Sequence, residues 1–332
     1  MQAADLLSAA RAGDGEAFRA LVAPHLRSLH VHCYRMLGSY DDAEEALQEA
    51  LLRAWRSLAT YEGRGPLRHW LYRITTTTCL KAIERRGRGP VVAGEITHLQ
   101  PYPDRLLDQL GAEDPAAAVE RRESVALAFV SALQRLPATQ RAVLILRDVL
   151  CWSGGEVAEL MATSVAAVNS MLQRARATVG RAGEAARPLD ARDLEVLDRF
   201  VLTWNRRDIA GLAALLHEDA VLRMPPEDAV FLGRAAVTEF FATVPAEGRL
   251  ETIRLVPTAA NGQAALAAYV PDDTGRRRAY GIIVFEVGDG VLTSITGFPG
   301  TGSFEAFGLP AEETDLPGGP AGGAEGQAVL PR

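Results

Sequence analysis

Apolar side chains recur every three to four positions over residues 5–12, 15–37, 41–59 and 66–86, the period of helices that bury one face. "GDG", "GSYDD" and "EGRGP" break the pattern between them. Within "SYDDAEEALQEALLRAW" (39–55), Ala43, Ala46, Leu47, Ala50, Leu51, Ala54 and Trp55 form one apolar stripe. Asp41 is the expected N-cap, with Glu44 three residues on completing a capping box. Glu45 and Glu49 are like charges one turn apart, which costs an isolated helix roughly 0.2–0.5 kcal/mol. Their presence raises the question of what the acidic face meets.

The periodicity lapses over residues 87–119, where Gly, Pro and acids predict a linker with a short helix near 104–110. Helical spacing returns over 120–185 in four short pieces. In "CWSGGEVAELMATSVAAVNSMLQRARATVG", Ser153 and Glu156 form a capping box that opens a helix through Met161. "ATS" is a tight connection, and Ser164 or Thr163 caps a second helix to about Val179. Val157, Leu160 and Met161 face Val168, Leu172 and Ala175. Two such helices fit a helix-turn-helix, whose second member enters a major groove. Its outward residues include Ala166, Ala167, Asn169, Ser170 and Gln173; Asn and Gln suit adenine edges, and Arg174 and Arg176 suit phosphates. A plain αα-hairpin with a solvated face fits the same pattern.

Beyond residue 188, helical pieces at 190–205 and 208–216 give way to β-like runs: "AVLRM", "LETIRLVPT", "QAALAAYV", "RRAYGIIVFEV" and "VLTSITGF". "NGQ", "DDTG" and "GDG" mark turns between them. This is the pattern of an α+β domain. Residues 311–332, rich in Gly, Pro and Glu, are expected to be disordered.

Charge sharpens this division. The chain of 332 residues carries a net −7, but residues 1–90 carry +3, 91–120 carry −5, 121–187 carry +4 and 188–332 carry −9. Two basic blocks suited to nucleic acid flank an acidic linker, and an acidic block follows. The single lysine, Lys81, excludes a Walker A loop. Cys33, Cys79 and Cys151 form no C-x-x-C pair, which fits a reducing, cytoplasmic setting. "MQAADLLSAARAGDGEAF" lacks a basic start with an apolar core, so no signal peptide is expected, and no apolar run is long enough for a membrane span. "HVHC" offers His30, His32 and Cys33, with His25 upstream, but His32 leaves the face shared by His30 and Cys33; no metal site and no cofactor are expected.

Residues 18–86, through "HCYRMLGSYDDAEEALQEALLRAW" and "GPLRHWLYRITTTTCLKAIERR", resemble region 2 of the sigma-70 family of bacterial initiation factors, in its extracytoplasmic-function group. Residues 121–181, through "LPATQRAVLILRDVLCWSGGEVAELMATSVAAVNSMLQRARATV", resemble region 4. The resemblance implies that the acidic helix docks on core RNA polymerase through Asp41, Asp42, Glu45, Gln48 and Glu49. It implies that Tyr61, Arg68, Trp70, Tyr72, Arg73, Lys81, Arg85 and Arg86 meet the promoter −10 element, although Trp70, Ile74 and Thr77 share a helical face that suits core packing. The loop "TYEGRGPL" looks like the family loop that captures a flipped base. Ser164, Ala167, Asn169, Ser170, Gln173, Arg174 and Arg176 would read the −35 element. Asn169 and Met171 stand where many relatives carry a basic residue, so no promoter preference carries over.

Residues 190–309 resemble the SnoaL-like polyketide-cyclase superfamily through "FVLTWNRRDIAGLAALLHEDAVLRMPP", "FLGRAAVTEFF", "AANGQAALAAYV" and "ITGF". That fold implies a curved-sheet cone with a candidate small-molecule pocket at Trp204, Met224, Tyr269 and Tyr280, although Trp204, Met224, Phe240, Phe241, Tyr269, Phe285 and Phe298 suit a core equally. His217, Asp219, Glu227, Asp228 and Tyr280 are the candidate acid–base groups, and none sits in a catalytic motif. The expected chain is therefore two all-α domains followed by an α+β SnoaL-like cone: region 2 over 5–88, an acidic linker over 89–119, region 4 over 120–187, the cone over 188–310 and a tail over 311–332. The expected activity is non-enzymatic: a sigma factor that binds core RNA polymerase and promoter DNA, with an autoregulatory C-terminal domain. A ligand-responsive DNA-binding regulator without polymerase contact, or an isomerase- or cyclase-like fusion, are the alternatives.

Overall fold

A computed structural model describes residues 3–61, 63, 65–87, 99–108, 124–180, 191–227, 229–302 and 304–312. The expected disordered tail lies outside these, apart from its first two residues, as do Glu62 and Arg64 of the loop expected to capture a flipped base. The chain divides into two compact units.

The first unit is all helical: α1 (Ala3–Arg11), α2 (Gly15–Val22), α3 (Leu26–Leu37), α4 (Tyr40–Ser57), α5 (Leu67–Arg86), then α7 (Leu127–Gln134), α8 (Ala138–Leu144), α9 (Gly154–Leu160) and α10 (Val165–Val179). The expected single helix over 15–37 is two, because Pro24 lacks an N–H donor and the chain turns through Ala23–His25 before restarting. Gly38 ends α3 in the left-handed region (φ 75°), and a Cβ there would lie 2.8 Å from the Gln134 side chain. Ser39, not Asp41, caps α4: its hydroxyl accepts from the Asp42 N–H at 3.2 Å, two residues earlier than expected. Ala43, Ala46, Leu47, Ala50 and Ala54 are buried as the stripe predicts. In α5, Thr75 and Thr78 return their hydroxyls to the carbonyls of Leu71 and Ile74, so these polar groups are satisfied inside the bundle.

Regions 2 and 4 share this unit. Arg141 of α8 is 6% exposed and reaches the Met36 carbonyl at the end of α3; it also donates to the Gln134 carbonyl at 3.0 Å and the Leu136 carbonyl at 3.2 Å. Gln134 donates to the Arg35 carbonyl at 3.2 Å. A guanidinium with several carbonyls around it meets the negative end of the α3 dipole.

The second unit is α+β. α11 (Ala191–Asn205), α12 (Ile209–Ala214) and α13 (Arg234–Thr243) pack with a six-stranded sheet of order β2-β1-β6-β5-β4-β3. The strands are β1 (Leu216–Arg223), β2 (Val230–Leu232), β3 (Arg254–Ala260), β4 (Gln263–Pro271), β5 (Arg277–Gly288) and β6 (Val291–Pro299). β1 and β6 are parallel and every other pair is antiparallel. Phe200, Trp204, Phe241, Leu266 and Phe285 centre the core. The expected "NGQ" turn joins β3 to β4, with Asn261 and Gly262 both at positive φ (60° and 72°) as a two-residue hairpin loop requires.

The linker expectation is corrected here. Residues 99–108 and 124–126 pack as part of this second unit. Leu99, Tyr102, Leu106, Leu107 and Val125 are buried, and Asp104–Asp108 forms α6. Single apolar residues among prolines and acids lack a period, yet together they bury a surface.

Candidate functional site

On α4, Asp41, Glu45 and Gln48 are exposed, and so is Leu52 at 57%. Their spacing of four, three and four residues places them on one stripe. Gln48 donates to Glu44 at 3.4 Å, and the two other expected members are ion-paired. Glu49 pairs with Arg53 and, at 2.9 Å, with Arg85; Asp42 pairs with Arg86. Burial raises the Glu49 pKa, and the Arg85 and Arg53 hydrogen bonds outweigh it, so the net shift is downward. Glu44 takes His30 at 3.2 Å. The Glu45–Glu49 repulsion is therefore relieved inside the protein. Leu52 was not among the expected docking residues; its signal was a leucine outside the apolar stripe.

Arg68, Arg73 and Lys81 are exposed along α5, whereas Arg85 and Arg86 are spent on the α4 acids in this structure. Tyr72 is corrected: it is 7% exposed, its ring meets His32 and Trp152 edge-on, and its hydroxyl donates to the Ser28 carbonyl at 3.4 Å. That places it in the core with no face for a base. Trp70 is half-buried, its ring 5.3 Å from Tyr61, whose hydroxyl donates to the Gly65 carbonyl at 2.6 Å. Tyr61, His69, Trp70 and Arg73 line a cleft of about 360 Å³ whose other wall is Trp152 and Glu156 from the helix-turn-helix. His69 stacks on Trp152 at 4.3 Å and sits 3.5 Å from Glu156.

The helix-turn-helix forms as the capping signals predict. Ser153 Oγ accepts from Glu156 N at 3.2 Å and Glu156 Oε2 from Ser153 N at 2.7 Å. Ser164 caps α10, accepting from Ala167 N at 3.1 Å, so both residues serve the helix start. Val157, Val168, Leu172 and Ala175 are buried, and Asn169, Ser170, Gln173 and Arg174 are exposed together. Arg174 donates to Ser170 Oγ at 2.7 Å; Arg176 makes a two-pronged pair with Asp148 at 2.7 and 2.9 Å. Replacing Asn169 or Gln173 by Ala is expected to cost about 1–3 kcal/mol of discrimination at one base pair, while Arg174→Ala weakens all sequences evenly and lowers the salt slope. Binding measured against salt on matched and mismatched duplexes separates the two.

Beneath these surfaces His32 is fully buried, its Nε2 2.8 Å from Thr76 Oγ1. Burial, helped by Arg35, lowers its pKa to about 3. Cys33 meets Cys79, and burial raises its pKa. Among the described residues no three His, Cys, Asp or Glu groups come together to hold a metal. The unfolded chain protonates His32 below pH 6.5 while the folded chain resists, so stability is fullest above pH 6.5 and falls by about 1.4 kcal/mol per pH unit as pH drops toward 3. Urea unfolding at pH 7 and pH 5 checks this: His32→Gln should flatten the dependence.

In the second unit a cavity of about 80 Å³ is walled by Trp204, Met224, Phe240, Phe241, Gly281 and Gly297, with Tyr280 at its lining. Gly281 is required there: a Cβ would lie 2.5 Å from the Phe298 carbonyl oxygen. Tyr269 is corrected: it is fully buried elsewhere, its hydroxyl donating to the Pro310 carbonyl at 2.9 Å and its ring against Phe304. His217, Asp219 and Glu227 are exposed and do not line the cavity; Asp228 lies outside the described residues.

A helical bundle with an acidic stripe, a helix-turn-helix and an α+β domain with a six-stranded sheet define a class: initiation factors of the sigma type with a C-terminal SnoaL-like domain. Residues 21–89 match Sigma-70 region 2, residues 126–179 match Sigma-70 region 4 and residues 197–295 match the SnoaL-like domain. The chain belongs to the sigma-70 family, in its extracytoplasmic-function group. It is 38% identical over 322 residues to the ECF RNA polymerase sigma factor SigG of Mycobacterium tuberculosis, covering 90% of this chain and 85% of that one. It is 32% identical over 178 residues to SigM of the same species, covering 54% of this chain and 83% of that one. The crystal structure of the M. tuberculosis extracytoplasmic function sigma factor SigJ matches with a TM-score of 0.58 at 25% identity, covering 90% of this chain and all of that one. The chain is thus a sigma factor that binds RNA polymerase and recognises promoters.

Proposed function

We propose that this cytoplasmic sigma factor docks on core polymerase through Asp41, Glu45, Gln48 and Leu52. It meets the −10 element with Tyr61, Arg68, Trp70, Arg73 and Lys81, and reads the −35 element with Asn169, Ser170, Gln173 and Arg174. Arg85 and Arg86 join once the α4 acids release them. The C-terminal domain catalyses nothing and regulates initiation in cis. The observation that carries this is the burial of Leu99, Tyr102, Leu106 and Leu107 of the inter-region segment in the second unit, which ties that domain to the segment joining the two readers. A tethered neighbour acts at high effective concentration. The test compares transcription with core polymerase by the full chain and by one ending at residue 189. The shorter chain should give the higher yield, and equal yields reject autoregulation.

The wholly apolar cavity favours a second reading, in which an uncharged apolar molecule modulates that restraint. Polar or ionised ligands would lose hydration there without gaining partners. Xenon under pressure should raise the unfolding temperature of the full chain, and Ala268→Leu, which fills the cavity, should remove the effect.

A further inference from the structure

Asn261 lies in a hairpin turn, yet it is fully buried. Its backbone N–H donates to the Tyr102 carbonyl at 2.9 Å, and its Oδ1 accepts from Tyr102 N at 2.8 Å. Its Nδ2 donates to the Val125 carbonyl at 2.6 Å. One side chain therefore holds two points of the inter-region segment that stand 23 residues apart in sequence. Neighbours reinforce it: Gly262 N donates to Asp104 Oδ1 at 2.8 Å, Pro103 bridges Ala260, and Arg105 donates to the Glu305 carbonyl at 3.2 Å. The position suits asparagine, which tolerates positive φ and offers both a donor and an acceptor.

The consequence is one of length. From Arg86, the end of α5, to Leu127, the start of α7, the chain runs 41 residues. Fully extended these reach roughly 135–150 Å. With Tyr102 and Val125 pinned to one residue, only the 16 residues from Arg86 to Tyr102 and the 2 from Val125 to Leu127 separate the regions. That reach is about 60–65 Å, whatever path the intervening residues take. Elements centred at −10 and −35 lie about 25 base pairs apart, about 85 Å along B-DNA. The open tether spans this with slack. The pinned one must stretch far beyond its relaxed dimension of roughly 21–25 Å.

We propose that the C-terminal domain restrains initiation by shortening the tether between regions 2 and 4, with Asn261 as the positioning residue that pins it. This rests on the autoregulatory reading and assigns its mechanism: the domain limits how far the two readers can separate, without covering either.

The test uses the full chain, core polymerase and a promoter selected from a randomised template pool. A Gly-Ser insert of about 20 residues after Gly87 adds roughly 66–72 Å of reach and leaves the pin intact. It should raise transcript yield at least about fivefold, because effective concentration is greatest when a tether's relaxed length matches the span and falls when it must be stretched to reach. Amide protection at Leu106 and Leu107 should persist. Asn261→Ala should raise the yield similarly with that protection lost, and combining the two should add nothing. Should Asn261→Ala fail to fold, Asp104→Ala weakens the same clasp from the linker side. The inference is overturned if the insert leaves the yield unchanged while truncation at residue 189 raises it; the domain would then regulate by covering a surface. If truncation also changes nothing, the autoregulatory reading itself falls.

Discussion

Changing Glu45 to Lys and Leu52 to Glu together is expected to abolish capture of core RNA polymerase by the full-length chain. Both side chains are exposed on the α4 stripe, and neither belongs to the apolar face that builds the bundle. An exposed leucine at the end of a polar stripe that carries Asp41 and Glu45 is suited to act as a docking anchor, and loss of such an anchor typically costs 2 kcal/mol or more. Placing a lysine against a basic partner adds like-charge repulsion of several kcal/mol. Together these amount to about 4 kcal/mol, or roughly a thousandfold in Kd. Folding stability should stay within about 0.5 kcal/mol, as for most surface changes. Glu49→Lys would be a poor probe because it also breaks the pairs with Arg53 and Arg85. Undiminished pull-down of polymerase by the double variant at low salt would remove α4 as the docking face.

The helices of regions 2 and 4 were legible because each carries local signals. Ser153 with Glu156, Ser164, Gly38 and the spacing of Val168, Leu172 and Ala175 act within a turn or two, and the structure follows them. What the sequence concealed depends on partners far along the chain. Glu45 and Glu49 read as unrelieved repulsion only because Arg85, 36 residues from Glu49, could not be placed beside it. Tyr72 and Trp70 lie two positions apart on α5, and periodicity favoured the core for Trp70, on the face it shares with Ile74 and Thr77, while it left Tyr72 available to DNA. Packing against Trp152, 80 positions from Tyr72, buries only the tyrosine. Leu99, Tyr102, Leu106 and Leu107 follow no period at all, so nothing local marked them as a buried surface. "NGQ" announced a turn correctly, but not that its asparagine would hold residues 102 and 125.

Arg141→Met should undo the pairing of regions 2 and 4. Burial lowers the Arg141 pKa to about 10, so the side chain is still a cation at neutral pH and depends on its carbonyl partners. Methionine keeps most of the stem volume but donates nothing, leaving the Met36, Gln134 and Leu136 carbonyls without it. Each buried acceptor stranded in this way costs about 1–3 kcal/mol. Water can repay this cost only if the regions part, because the Met36 carbonyl belongs to region 2 and the guanidinium to region 4. Separation would also lift Trp152 and Glu156 from the cleft formed by Tyr61, His69, Trp70 and Arg73. Faster amide exchange over residues 67–75, together with stronger non-specific DNA binding at low salt, is therefore expected. A variant that loses stability but keeps those amides protected would show that the carbonyls find other donors and that the Arg141 contact does not hold the two regions together.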